Sequence, residues 1–253
     1  MPRFFLPETA PSVSLDHLPE RLALEGEDAF HLSVSLRARL GDEVTVCTSD
    51  GIEILCKIED IYGGKRAPVV VLVPVSASES CGESPVEITL FQGMPKGKKT
   101  DSILQKATEL GVSRVVFVYS DHAVPTFTGE EKKNTRYQKI AEEAAKQCGR
   151  GKLVRVSVAE DLDTVLDDFC SHDLAFACYE KEGERSLKSL LSCSEGKSIA
   201  FFIGPEGGIS GREIALLEER GVPTVTLGKR ILRTETASAA VLSMILYEKE
   251  LHS

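Results

Sequence analysis

Apolar positions along this 253-residue chain follow two different rhythms. Through about residue 75 they come in short runs: Glu43–Cys47, Glu53–Ile58 and Val69–Val75, with turns at Ser49-Asp50-Gly51 and Gly63-Gly64. Runs of that length between Gly- and Asp-bearing turns predict strands. Only His31–Leu40 has helical spacing, which puts Leu32, Leu36 and Leu40 on one face. The first 75 residues therefore predict a small β-barrel or sandwich. Ser76–Pro85 is small, polar and broken by Pro and Gly, and reads as the linker (76–85) between a domain at 1–75 and another at 86–253.

After the linker, strands alternate with helices. Strands are predicted at Val86–Gln92, Arg114–Val118, Leu174–Cys178, Ile199–Ile203 and Val222–Leu227. Helices are predicted at Thr100–Leu110 (ended by Gly111), Tyr137–Gln147, Asp161–Phe169, Arg212–Arg220 and about Thr236–Glu250. On Tyr137–Gln147 the apolar stripe is Tyr137, Ile140, Ala141 and Ala144, continued by Cys148; Glu142 and Lys146 pair on the opposite face. Alternation of this kind means an α/β fold, a mostly parallel sheet covered on both faces.

Two loops carry the candidate chemistry. Gly204-Pro205-Glu206-Gly207-Gly208 follows one strand, and Ser210-Gly211-Arg212-Glu213 behind it fits a capping box. Ligands of open α/β sheets bind outside the carboxyl ends of the strands, where this loop lies. It lacks the Gly-Lys-Ser/Thr of a phosphate loop and the spacing of a dinucleotide fingerprint. The second loop, Leu227–Thr236, sets Lys229, Arg230, Arg233 and Glu235 beside Ile231 and Leu232. Aliphatics with free backbone groups suit an adenine ring or a methionine chain, and arginines suit a polyanion.

Charge and cysteine content narrow the class. The net charge is −9, which by itself discourages a nucleic-acid partner. Its distribution does not, because residues 91–155 carry 13 basic and 7 acidic side chains while residues 156–228 carry 6 and 14. Seven scattered cysteines form no CxxC pair and no Cys/His cluster, which predicts reduced thiols, a cytoplasmic setting and no metal site. His17, His122, His172 and His252 show no ligand spacing, and an ordinary hydrogen-bonded role is the expectation for His31. The apolar stretch Ala67–Val75 is too short to cross a bilayer, and Met1–Pro7 lacks the apolar core of a signal peptide.

IGPEGG (Ile203–Gly208) followed by LGKRILRTETA after a strand resembles the C-terminal signature of the RsmE family of ribosomal RNA methyltransferases, members of the SPOUT class. Four further stretches match in order: Met1–Pro7, His31–Arg37 (HLxxVLR), Lys96–Val112 (KxxK…IQKATELGV) and Tyr137–Arg150 (RWQKIAxEAxxQxGR). Ser35 stands where valine is usual and Tyr137 where tryptophan is usual.

The resemblance implies a PUA-like β-barrel at 1–75 that binds RNA, then a SPOUT α/β domain with a C-terminal trefoil knot. It implies a homodimer that methylates N3 of a uridine in small-subunit (16S) ribosomal RNA with S-adenosylmethionine. On that footing Ile203, Gly204, Pro205, Gly207, Gly208, Leu227, Gly228, Ile231, Leu232, Thr234 and Thr236 are expected at the donor. Arg233 is expected to steady the uracil anion or the target phosphate, with Glu235 or Glu206 orienting it or accepting the proton. Arg3, Arg37, Lys96, Lys98, Lys99, Lys106, Arg150 and Lys152 are expected at RNA phosphates. The alternatives are another SPOUT enzyme, acting on a ribose hydroxyl or a different base, and a non-catalytic RNA-binding or ribosome-assembly protein. A nucleotide-dependent hydrolase fails for want of a phosphate loop and metal carboxylates.

Overall fold

The structure, a computed structural model, describes all residues except 8, 65, 125–129, 184 and 251–253, and the side chains of 130–132 and 250. His252 thus lies outside the described residues. The chain divides into two compact units: residues 1–83 with 145–153, and residues 84–144 with 154–253.

The first unit is built on a five-stranded sheet of order β1-β3-β4-β5-β2, formed by Arg3–Phe5 (β1), Leu22–Leu24 (β2), Glu43–Cys47 (β3), Ile52–Tyr62 (β4) and Val69–Glu79 (β5). The β3–β4–β5 meander is antiparallel, with register shifts in β4–β5 that bend the long strands. Inward positions such as Val44, Val46, Ile54, Cys56, Val70 and Leu72 make its core with Phe4 and Leu32.

Three expectations need correction in this unit. The linker 76–85 is strand for its first four residues, because Ser76–Glu79 continue β5 opposite Ile52–Leu55. The helix of His31–Leu40 instead starts at Gly26–Phe30 (α1) and continues as a π-turn over His31–Ser35. Arg37 then turns the chain at φ +57°, a left-handed conformation rare for a non-glycine residue. Only Leu32 of the predicted apolar face is buried; Leu36 and Leu40 are exposed. The wider π-turn breaks the 3.6-residue spacing on which that face depended.

Residues 145–153 join this unit through a small cluster of Phe5, Cys47, Ala145 and Leu153. Arg150 is buried and pairs with Glu83 at 2.7 Å, while the Gly151 and Lys152 N–H groups donate to the same carboxylate. Lys146, expected on a solvent face, reaches Asp28 at 2.7 Å.

The second unit is a six-stranded, wholly parallel sheet of order β11-β9-β10-β6-β7-β8. In chain order it runs Glu87–Gly93 (β6), Lys99–Glu109 (α2), Arg114–Val118 (β7), Glu130–Cys148 (α3), Arg155–Ala159 (β8), a 3-10 turn at Asp163–Val165 leading into Leu166–Cys170 (α4), Leu174–Cys178 (β9), Leu187–Ser192 (α5), Ser198–Ile203 (β10), Gly211–Glu219 (α6), Thr224–Val225 (β11) and Thr234–Glu250 (α7). Successive strand residues feed opposite faces: Ile199, Phe201 and Ile203 enter one core, Ala200 and Phe202 the other. Tyr137 is buried with its ring 5.1 Å from that of Phe117.

The predicted strand Val222–Leu227 is paired over only Thr224–Val225. Strands β1, β2 and β8 and helix α5 went unpredicted; all four span six residues or fewer. The chain order along the sheet reverses at the β6/β10 pair, which makes the carboxyl ends of these strands a switch point.

The Arg150–Glu83 pair yields a stability prediction. Arg150→Met should lower the unfolding free energy by about 3 kcal/mol in urea denaturation, because it leaves the half-buried Glu83 carboxylate without its counter-charge. Arg155→Met, at the exposed pair with Glu87, should change it by less than about 1 kcal/mol.

Candidate active site

The switch point opens into a cleft of about 540 Å³. Its walls are the ends of β9 (Cys178, Tyr179, Glu180) and β10 (Ile203–Ile209), and the whole stretch from Val225 to Thr234. The two loops singled out in the sequence thus face one cavity.

Glycine is required in the first loop for two reasons. Gly208 sits at φ +74° and closes a turn, its N–H donating to the Pro205 carbonyl at 2.9 Å. A Cβ on Gly204 would lie 2.9 Å from the Gly208 carbonyl carbon, and one on Gly207 would lie 2.8 Å from the His122 Cβ. Behind the turn, Ser210 and Glu213 form the expected capping box, and Ser210 Oγ also donates to Asp121 at 2.6 Å. The Arg212 guanidinium and this hydroxyl hold the Asp121 carboxyl below its ordinary range.

The second loop begins at the sheet edge. Thr226 N–H donates to the Arg185 carbonyl and Tyr179 N–H to that of Val225, so the β9–α5 connection and this loop are stitched together. Gly228 turns the chain at φ +109°. Leu227 and Leu232 pack against the core, whereas Ile231 is almost fully exposed. Thr234 then starts α7 and is buried, its hydroxyl donating to the Gly204 carbonyl at 2.8 Å. Thr236, expected at the donor, does not line the cleft; its N–H donates to the Arg233 carbonyl in the first turn of α7 and its side chain is exposed.

Charged groups divide into paired and unpaired. The Lys99 ammonium lies 2.8 Å from Glu206 and 3.4 Å from Glu235, so the expectation that it contacts RNA phosphate is corrected: it is a cleft residue between two carboxylates. Burial pushes the Glu206 carboxyl up, but Lys99 and the backbone N–H groups of Glu206 and Lys96 outweigh it and hold it below the usual 4.5. Lys99 is correspondingly raised, chiefly by its hydrogen bond to Glu206. The inner oxygen of Glu235 is buried and accepts no well-aligned hydrogen bond, Lys99 being near but poorly directed. Among the described residues, Arg233, Arg230 and Lys229 form no hydrogen bond or ion pair through their side chains and are exposed.

Two more expected RNA contacts are committed elsewhere. Arg3 bonds Glu53 at 2.7 Å and the Cys47 sulfur at 3.1 Å, and Arg150 is buried on Glu83. Arg37, Lys96, Lys98, Lys106 and Lys152 remain exposed, each without a side-chain ion pair among the described residues. Sequence reasoning missed Glu180, which lines the cleft with its carboxylate against Gly208, and His122, whose Nδ1 lies 3.3 Å from the Gly208 carbonyl. It also missed Gln92, whose one signal was an amide inside an apolar strand.

Comparison with known proteins agrees with this geometry. A family profile described as an RNA methyltransferase domain matches residues 82–246, and one described as an RNA methyltransferase PUA domain matches residues 24–72. The ribosomal RNA small subunit methyltransferase E of Bacillus subtilis is 32% identical over 99% of this chain and 98% of its own length. The chain belongs to the RsmE family. Among solved structures, the family member from Neisseria gonorrhoeae bound to S-adenosyl methionine is 28% identical with a TM-score of 0.82, covering 97% of this chain and 96% of that one. A methyltransferase of Legionella pneumophila in complex with bound SAM is 27% identical with a TM-score of 0.82, covering 96% of each chain. These likenesses support the α/β fold with a PUA-like domain, and an RNA-methylating enzyme.

The cleft's electrostatics have a signed pH dependence. Because the folded Glu206 carboxyl lies below its ordinary value, the stabilisation it gains from Lys99 is complete above about pH 4.5. It fades as pH falls through the folded value. The stability difference between the native protein and Glu206→Gln, followed by denaturation at stepped pH, should therefore be flat above pH 4.5 and shrink below it.

Proposed function

We propose that this RsmE-family chain transfers a methyl group from S-adenosylmethionine to N3 of a uridine in small-subunit ribosomal RNA, as a cytoplasmic homodimer. The observation that carries the donor site is the single cleft faced by both loops, with glycines where a side chain would clash and an apolar floor of Ile203, Val225, Leu227, Leu232 and Ala237. That shape and lining fit an adenosine with a methionine arm. When bound, S-adenosylmethionine supplies a methyl group already activated on a sulfonium.

What remains for the protein is positioning and charge management. Backbone groups of Gly204, Gly208, Leu227, Gly228, Ile231 and Leu232, with Ile203, Pro205 and Gly207 shaping the wall, hold the donor. Thr234 serves through the fold rather than through a free hydroxyl. The unpaired Arg233 steadies the anion that develops on uracil as its imide proton leaves. Glu235 takes that proton, because Lys99 lies farther from it (3.4 Å) than from Glu206 (2.8 Å), and Glu206 also accepts from the Lys96 N–H.

The wider reading rests on several supports. Exposed Met244 and Tyr247 lie one turn apart on α7 and offer a face to a second copy. Free cysteines fit a reducing compartment, and no described helix is long and apolar enough to cross a membrane. The passage of Thr226–Arg233 from the sheet edge to its centre, with the Thr226 N–H bonded to the Arg185 carbonyl, supports a C-terminal knot. The N-terminal, PUA-like unit and the exposed Arg37, Lys96, Lys98, Lys106 and Lys152 serve RNA.

Purified small subunits lacking the modification should accept methyl groups from the native protein, with 3-methyluridine as the product nucleoside by mass spectrometry; 2′-O-methylation or no transfer would count against the reading. Arg233→Ala should abolish transfer while leaving donor affinity within a few-fold. Binding of subunits should weaken steeply with added salt, since phosphate contacts release counterions, and Lys98→Ala/Lys106→Ala should flatten that slope by about 1 to 2 units.

A further inference from the structure

We infer that Gln92, which belongs to neither loop, is a positioning residue for the donor cleft and acts through the hydroxyl of Thr234; the inference rests on the donor-site reading above. Gln92 is the next-to-last residue of β6 and is fully buried. Its amide nitrogen donates to Thr234 Oγ1 at 2.8 Å and lies 3.1 Å and 3.3 Å from the carbonyls of Gly93 and Ile203. Its amide oxygen is buried and accepts nothing.

This arrangement has one direction. Turning the amide over would set its oxygen against two carbonyls and leave both of its N–H groups unpartnered, so the nitrogen must face Thr234. Thr234 therefore accepts from Gln92, and its only proton goes to the Gly204 carbonyl. The chain of bonds joins the end of β6, the first residue of the glycine loop and the first residue of α7. Gly204 and Thr234 both line the cleft, while Gln92 stands behind it.

A packing role alone does not account for Gln92. Methionine would fill the same strand position without leaving a buried oxygen unsatisfied, a condition native interiors generally avoid. The amide instead sets the separation of two loops that come from different strands. A donor seated between them is sensitive to that separation, since displacements of about 1 Å in supporting groups are enough to degrade a site.

The test compares Gln92→Met, Thr234→Val and Thr234→Ser with the native protein by calorimetric titration with S-adenosylmethionine and by kcat and KM on unmodified small subunits. Thermal unfolding without ligand is the control. Gln92→Met and Thr234→Val should each raise the donor Kd and KM about tenfold with a smaller effect on kcat, and Thr234→Ser should restore the native value to within about twofold. Native donor affinity in Gln92→Met or Thr234→Val, whatever their melting temperatures, would overturn the inference. So would equal damage from Ser and Val, or loss of the fold in both Gln92→Met and Thr234→Val. Failure of the native protein itself to bind the donor would instead overturn the donor-site reading.

Discussion

The cleft depends on one geometric demand: a loop that leaves an edge strand must arrive at the centre of the sheet. β11 lies at the edge, separated from β10 by β9, yet Thr234 ends the loop hydrogen-bonded to the Gly204 carbonyl just beyond β10. At about 4.8 Å per strand the chain must move roughly 10 Å across the sheet. It spans that interval with Thr226–Arg233, which lines the cleft along its whole length. The apolar floor, the turn at Gly228 and the exposure of Arg233 all follow from that path.

The same demand explains the division of charged groups. α2 and α7 begin close to one another at the switch point, so Lys99 at the start of one meets both Glu235 at the start of the other and Glu206 from the glycine loop. A carboxylate in the first turn of α7 also meets the favourable end of the helix dipole. The cation nearest the two acids is thereby consumed, leaving Arg233, Arg230 and Lys229 available to a polyanion. A site with both donor and RNA chemistry needs this separation, since arginines neutralised by their own carboxylates could not meet phosphate or a developing anion.

Much of the architecture was legible because periodicity is a direct record of burial. β7 and β9 fall where their apolar runs predict, and the capping box marked α6 to within a residue. The failures share a cause in non-local structure. β1 is only three residues long and is held by parallel pairing to β3, which no local pattern reveals. The face of Leu32, Leu36 and Leu40 assumed ideal helix spacing, and the π-turn at His31–Ser35 removed it. Charge was the least legible quantity: Arg3, Lys99 and Arg150 look like surface cations in sequence, and only the fold shows their partners Glu53, Glu206 and Glu83. The glycine loop was readable as a site because Gly204, Gly207 and Gly208 answer to steric limits that leave few other residues possible.

The central claim is that two loops from different strands make one donor site. Backbone amide hydrogen exchange, measured with and without S-adenosylmethionine, tests it most directly. The account predicts slowed exchange at both Gly204–Ile209 and Leu227–Thr234, appearing together at the same donor concentration. Protection of only one loop, or protection centred elsewhere in the chain, would contradict it.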